Sequence, residues 1–199
     1  MASAENESLD HVPLFPLNAA VLPGGRIPLQ LFEPRYLDML AGCLREQRGF
    51  VVVLLREGSD VGSQAVFYDI GTYVRIVDFQ QLDNGLLGIT AEGLWKVAVN
   101  RSWRAPDGLN LGDAERLPEE PEDVLPSGHS ELAAVLRALL RHPVINKLDL
   151  SVDFSSAREV GWRLTELLPL DSQEKQRLLE IQDPLQRLDR LSSLLDAMD

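Results

Sequence analysis

Short apolar runs of strand length, separated by turn residues, dominate the first 116 residues of the chain. Residues 12–17 and 27–32 flank the Pro-Gly-Gly stretch 23–25, a strong turn signal. The run at 50–55 is rich in β-branched residues and too short for a surface helix. This pattern predicts two strands followed by a third strand that is buried.

A single amphipathic helix interrupts these strands. Pro34 stands where proline is favoured, in the first turn of a helix. Leu37, Leu40, Ala41 and Leu44 follow at helical spacing. We therefore expect a helix whose apolar stripe consists of these four residues.

Turn chemistry then predicts two hairpins. The expected strands are residues 72–82, 86–90, 95–104 and 109–115. The Asp-Asn-Gly stretch 83–85 joins the first pair through the dipeptide that type I′ turns favour, and residues 105–108 join the second pair. Glu92-Gly93 is expected to break one strand from the next. Five to seven strands with one inserted helix indicate a small, partly closed barrel.

The pattern becomes helical after an acidic, proline-broken stretch at 117–126, which has the composition of a linker. One helix is expected at 127–142. Ser156, Asp171 and Asp183 each precede a helical pattern at a position suited to capping it. Leucines at 185, 188, 191 and 195 stripe the last helix.

These patterns together predict the α+β class, with a β-barrel that contains one inserted helix and a bundle of about four short helices. We expect a disordered tail at 1–11, the barrel subdomain at 12–116, the acidic linker at 117–126 and the helical subdomain at 127–199. A chain of 199 residues suffices for one large domain or two small ones.

Charge and cysteine content restrict the partners and the compartment. The net charge of −12 repels phosphate backbones, so no nucleic acid partner is expected. No apolar run is long enough to span a bilayer and the first residues do not resemble a secretory signal, so no membrane partner is expected. The single cysteine, Cys43, forms no disulfide framework and is expected to be a small buried hydrophobe. A cytoplasmic location follows as the expectation.

The residue patterns of catalysis are missing from the sequence. It contains no Gly-x-Ser-x-Gly elbow, no phosphate-binding Gly-x-x-x-x-Gly-Lys loop and no Gly-x-Gly-x-x-Gly. His11, His129 and His142 have no other His or Cys at metal-ligand spacing. Four carboxylates of the β region leave an acid–base pair open as the less favoured interpretation: Asp69, Asp78, Asp83 and Glu92. We expect no catalytic residue, no metal site and no cofactor.

Three parts of the sequence resemble the N-terminal, substrate-recognition domain of Lon proteases. The first is LFPLNAAVLPG at 14–24 with its continuation IPLQLFEPRY at 27–36. The others are DIGTYVRIV at 69–77 with the 83–85 turn, and the closing stretch 168–180. The Phe-Glu-Pro-Arg-Tyr order is similar to free-standing bacterial members in particular. The resemblance runs from about residue 12 to residue 197.

The resemblance implies a PUA-like β-barrel followed by a helical bundle, and a role in recognising unfolded or tagged polypeptides. In full-length Lon, ATPase and Ser-Lys protease domains follow this region. Neither of their motifs occurs in these 199 residues, so protease activity is not implied. The stretch GLWKV at 93–97 departs from the Gly-x-x-Arg-Phe common in relatives, so no role of that arginine is carried over.

Five residues are candidates for ligand binding: Glu33, Arg35, Tyr36, Arg75 and Trp95. The first three lie at the strand-to-helix corner, where an apolar groove or an open strand edge would take extended polypeptide segments. The favoured alternative is a structural role, with Arg35 in an internal ion pair and Tyr36 packed. For Arg75 the alternative is a partnered or solvated side chain, and for Trp95 it is a place in the core.

The leading hypothesis is a non-catalytic peptide- or protein-binding module that works without ATP. One alternative is a scaffold that docks on a separate ATPase or protease, which a broad apolar surface patch would favour. Another is a small hydrolase, which two facing carboxylates of raised pKa would favour. The sequence does not indicate the oligomeric state.

Overall fold

The structure, a computed structural model, describes residues 8–57, 66–81, 86–146 and 150–198. The chain divides into two compact units, Met1–Pro118 and Glu119–Asp199. The first unit contains the sheet and the second is helical. The α+β class predicted from the sequence is therefore confirmed.

The sheet of the first unit is largely closed on itself. Its described strands are β1 (Ser8–Leu17), β2 (Arg26–Leu31), β3 (Phe50–Glu57), β4 (Val66–Phe67), β5 (Ile70–Gln81), β6 (Leu87–Arg104) and β7 (Asn110–Arg116). Because β1 pairs with β7 on one side and with β3 on the other, the hydrogen-bonded order β1-β7-β6-β5-β3 returns to β1. The β1–β3 pairing is parallel and the others are antiparallel. β2 and β4 lie outside this ring, on β6 and β3.

Both faces of β3 are covered by apolar side chains. Phe50 and Val52 belong to the core that joins the sheet to helix α1 (Pro34–Glu46). Val51 and Val53 belong to a second cluster on the opposite face of the strand. This double burial explains why residues 50–55 are apolar without alternation.

The buried face of α1 differs from the predicted leucine stripe. Leu37 and Leu44 are exposed. The buried apolar residues of this helix are instead Tyr36, Met39, Leu40 and Cys43. Both sets have helical spacing, but the second carries the large Tyr36 ring, which packs 4.3 Å from the ring centroid of Phe15. The predicted stripe was therefore wrong: the buried face is rotated about the helix axis by roughly one residue.

Two strands are longer than predicted. β1 begins at Ser8, so residues 8–11, expected in the tail, belong to the sheet, while residues 1–7 lie outside the described residues. β6 continues through Gly93, where a strand break was expected. This glycine serves close backbone approach, because a Cβ there would lie 2.2 Å from the carbonyl oxygen of Leu22. The 83–85 turn lies outside the described residues, and the 105–108 turn forms with Gly108 at a φ of 86°.

The second unit contains the described helices α2 (Ser130–Leu140), α3 (Pro143–Asn146), α4 (Ala157–Leu167), α5 (Ser172–Glu180) and α6 (Pro184–Asp196). The helix expected at 127–142 ends earlier, and proline at 143 starts a further short helix, as its place in a first turn allows. The three predicted caps are formed, at Ser156, Asp171 and Asp183. Each side chain accepts a hydrogen bond from a backbone N–H of the first turn.

Glu120, within the stretch predicted to be a linker, is buried in the helical unit. Arg187 of α6 is fully buried, and its guanidinium donates to both carboxylate oxygens of Glu120. It also donates to the carbonyl oxygens of Leu178 at 3.2 Å and Ile181 at 2.6 Å, and lies 3.4 Å from the ring centroid of Trp162. Burial lowers the pKa of Arg187, and the hydrogen bonds that it donates to Glu120 oppose that shift. The Arg187 side chain thus connects Glu120 to helices α4, α5 and α6.

We expect Glu120→Ala to lower the free energy of unfolding by about 3–5 kcal/mol, because Arg187 would remain as an uncompensated buried charge. Glu122→Ala is the matched control, since Glu122 pairs with Arg158 at 3.0 Å from an exposed position and should contribute less than about 0.5 kcal/mol. Urea titration followed by far-UV circular dichroism measures both. Equal losses in the two variants would contradict the role of Glu120.

Candidate functional site

The structure separates the five candidate residues into two groups. Glu33 and Tyr36 line a groove at the corner between β2 and α1, where Arg35 also lies. Arg75 and Trp95 line a second cleft, between the end of α1 and the β5–β6 face. The groove and the cleft differ in their chemistry.

Arg35 fastens the corner from inside the protein. Its side chain is buried, and Nε donates to Glu33 Oε2 at 2.9 Å while Nη1 donates to the carbonyl oxygen of Gly108 at 2.7 Å. The guanidinium also lies 4.6 Å from the ring centroid of Tyr36. These are the contacts of an internal ion pair, and they tie the corner to the β6–β7 turn.

The groove at this corner runs between two strands and is called the edge groove. It is lined by residues 15–17 at the end of β1, residues 28–30 of β2, Phe32, Glu33 and Tyr36. Its volume is ≈ 280 Å³. Most of its lining side chains are apolar, so the groove suits apolar side chains of a ligand.

Two strand edges border this groove without a strand partner among the described residues. β7 pairs with β1 only as far as Leu14, so β3 is the one described strand beside residues 15–17. β2 pairs with β6 and with no other described strand. Pro28 has no N–H and is tolerated where its nitrogen faces away from the paired strand. Gln30, two residues on, therefore directs its N–H and C=O to the same open side.

Side chains along β2 alternate between the core and the surface. Leu29 and Leu31 are buried, whereas Pro28 and Gln30 are exposed. Phe32, directly after the strand, is 66% exposed. An exposed aromatic ring thus stands beside an open strand edge.

Motif analysis did not identify Phe32 or the edge residues as candidates, although the sequence carries a signal for them. Pro13, Pro16 and Pro28 fall inside predicted strands. Proline inside a strand marks an edge, because it cannot donate to a neighbouring strand. Of these three prolines, Pro16 and Pro28 lie on the two strand edges that border the groove.

Trp95 lies half-buried in a stack beside the second cleft. Its ring centroid lies 4.8 Å from that of Tyr73, with an interplanar angle of 7°. The guanidinium of Arg116 lies 4.4 Å from the Trp95 ring centroid. Cys43 lines the same cleft, and burial raises the pKa of its thiol, which disfavours the reactive thiolate.

Arg75 is partnered at the surface. Its Nε and Nη2 donate to Glu92 Oε2 at 2.9 and 2.6 Å, and Arg26 donates to Glu92 Oε1 at 3.2 Å. These hydrogen bonds hold the pKa of Glu92 below its ordinary value, and the bond from Arg75 contributes most to this shift. Glu92 is therefore a shared anion between two arginines rather than a proton donor at neutral pH.

The histidines and carboxylates form no metal centre in the part of the chain that the structure describes. There, no group of three or more His, Cys, Asp or Glu side chains is placed to hold a metal ion. His129 Nε2 lies 2.9 Å from Asp189, and the His11 ring packs edge-on against Trp103. Within the same ranges, every helix is too short or too polar to cross a membrane.

Arg35→Ala is expected to lower the free energy of unfolding by about 2–3 kcal/mol, because charge-assisted hydrogen bonds at the corner are lost. Arg104→Ala serves as the control: Arg104 donates to the same Gly108 carbonyl oxygen at 3.2 Å, but from an exposed position. Thermal and urea unfolding measure both variants. A loss for Arg35→Ala no larger than that for Arg104→Ala would refute the fastening role.

Comparison with solved structures identifies the fold. A Lon N-terminal domain protein from Xanthomonas campestris is 35% identical, with 93% of this chain and 98% of that chain covered and a TM-score of 0.79. The N-terminal domain of the Mycobacterium avium complex Lon protease shares the fold at 17% identity, with 93% and 96% covered and a TM-score of 0.65.

Two curated relatives are similar over part of their own length. A LON peptidase N-terminal domain and RING finger protein of Schizosaccharomyces pombe is 25% identical over 223 residues, which cover 92% of this chain and 44% of the relative. The protein cereblon of Danio rerio is 28% identical over 119 residues, which cover 58% of this chain and 27% of the relative. The chain thus spans less than half the length of either.

The family assignment rests on a match that covers nearly the whole chain. The model of the ATP-dependent protease La (LON) substrate-binding domain matches residues 11–197. The Xanthomonas campestris domain is similar in sequence and fold over 93% of this chain. The chain therefore belongs to the Lon substrate-binding domain family.

Proposed function

We propose that this chain is a non-catalytic module that binds extended polypeptide segments in the edge groove. Membership of a substrate-binding family implies, at a coarse level, a protein or peptide ligand. The observation that carries the finer proposal is the pair of open strand edges, on β2 and at the end of β1, that border one apolar groove.

The main chain of the ligand pairs with β2 in this mechanism. Open strand edges bind extended segments through backbone hydrogen bonds, which do not depend on the sequence of the segment. The N–H and C=O of Gln30 supply one such pair of bonds. Pro28 contributes only its carbonyl oxygen, which limits the number of donors on this edge.

The side chains of the ligand enter the groove itself. Alternate residues of a bound strand point to the same side, so every second side chain faces Leu17, Phe32 and the edge of Tyr36. These contacts are apolar. The groove therefore selects segments with apolar residues at alternate positions, a pattern that unfolded chains expose and folded chains bury.

Neither Glu92 nor Asp153 has the electrostatics of a general acid. A carboxyl group that acts as a general acid at neutral pH needs a raised pKa. Hydrogen bonds from Arg75 and from Ser155 instead lower the pKa values of Glu92 and Asp153. The net charge of −12 disfavours nucleic acid as a ligand.

A scaffold that docks on a folded partner is the second candidate function. It is favoured by Val77 and Phe79, which are exposed on β5. These side chains lie outside the edge groove. The two functions therefore depend on different residues.

Phe32→Ala is expected to weaken the binding of an extended, apolar peptide about tenfold, because the ring would otherwise be buried by the ligand. Phe79→Ala is the matched control, since Phe79 is 64% exposed and Phe32 is 66% exposed. Fluorescence anisotropy with a labelled peptide measures the affinity. The thermal stability of both variants should stay near that of the parent, because both rings are exposed.

The two variants also separate the candidate functions. Loss of peptide affinity in Phe32→Ala alone supports the edge groove. Equal loss in both variants, or loss in Phe79→Ala alone, would count against it and favour docking through β5.

A further inference from the structure

The second cleft combines cations with an apolar wall. It lies between the C-terminal end of α1 and the β5–β6 face and has a volume of ≈ 430 Å³. Its charged lining side chains are Arg48 and Arg75, both cations. Leu44, Ile76 and Trp95 contribute the apolar part of its lining.

Each of these arginines shares its anionic partner with another arginine. Glu92 accepts hydrogen bonds from both Arg75 and Arg26. The group formed by these three side chains therefore has a net charge of about +1. The Arg75 side chain is also 60% exposed and therefore accessible to a ligand.

The arrangement repeats on α1. Glu46 lies 2.7 Å from Arg48 and 3.6 Å from Arg45, which again leaves an excess of about one positive charge. The cleft is thus bordered by two cationic groups in a protein whose net charge is −12. An anionic ligand is therefore drawn to this cleft and repelled from the molecule as a whole.

We propose that this cleft binds the C-terminal residue of a polypeptide, with its carboxylate on Arg48 and Arg75 and its apolar side chain against Leu44 and Trp95. A C-terminal apolar residue carries charge and apolar surface within one residue, which matches cations and an apolar wall in one cleft. An internal Asp or Glu carries the charge alone, so the apolar group would have to come from a neighbouring residue of the ligand. This site is separate from the edge groove and does not depend on its function.

The test uses three labelled hexapeptides that end in leucine. Two have the same sequence, one with a free C-terminal carboxylate and one with a C-terminal amide; the third is an amide in which one internal residue of that sequence is replaced by glutamate. Anisotropy titrations measure the affinity of the full chain for each peptide. We expect the free acid to bind about tenfold more tightly than either amide, because charge-assisted hydrogen bonds are lost in the amides. Added salt should reduce this preference.

Arg75→Gln should abolish the preference for the free acid, whereas Arg26→Gln should retain it. Each change removes one positive charge and one of the two arginine partners of Glu92, but Arg26 does not line the cleft. Equal binding of the acid and the amide, equal binding of the internal glutamate peptide, or an equal loss in both variants would overturn the proposal. Binding of apolar amidated peptides that depends on Phe32 would persist in every case, so failure here is distinct from failure of the edge groove.

Discussion

The parallel pairing of β1 with β3 is the constraint on which the β unit and its groove both depend. It joins Leu14–Leu17 in register with Val51–Leu54 and closes the ring of strands. Because β7 stops pairing with β1 at Leu14, the same closure leaves the last residues of β1 with one open side. β2 lies outside the ring on β6, and no other described strand pairs with its outer side. The pairing of β1 with β3 thus closes the core and leaves one side of the groove without a strand partner among the described residues.

Local chemistry was enough to predict most elements of this fold. The caps at Ser156, Asp171 and Asp183 act within a single turn of chain, so residue type and spacing predict them. The predictions were wrong where tertiary contacts determine the structure, at the buried face of α1 and at Gly93. Helical spacing alone does not distinguish the Leu37 stripe from the Tyr36 stripe, and Gly93 indicates either a strand break or a close backbone approach.

The burial of Glu120 was not predicted for a related reason. Acidic residues between prolines have the composition of a solvated segment, but Glu120 is the partner of a buried arginine 67 residues away in the sequence. Composition does not reveal a partner at that distance. The same limit applies to the candidate site: Glu33, Arg35 and Tyr36 lie at the corner that the sequence indicated, whereas the exposure of Phe32 and the pairing of β2 with β6 alone among the described strands were not predicted.

The two clefts of the β unit suit different parts of a polypeptide. The edge groove offers backbone groups and apolar contacts, which suit the middle of an extended segment. The second cleft offers cations beside an apolar wall, which suits a chain end. Arg35 serves the first of these indirectly, because it holds the β2–α1 corner in place through Glu33 and Gly108.

The most direct measurement of strand addition to β2 compares Gln30→Pro with Gln30→Ala. Proline removes the N–H of this position, whereas alanine removes only the side chain. The account predicts that Gln30→Pro weakens the binding of an extended apolar peptide about tenfold relative to Gln30→Ala, with both variants folded by circular dichroism. Equal affinity of the two variants for the peptide would show that the ligand does not pair with β2, and would contradict the central claim.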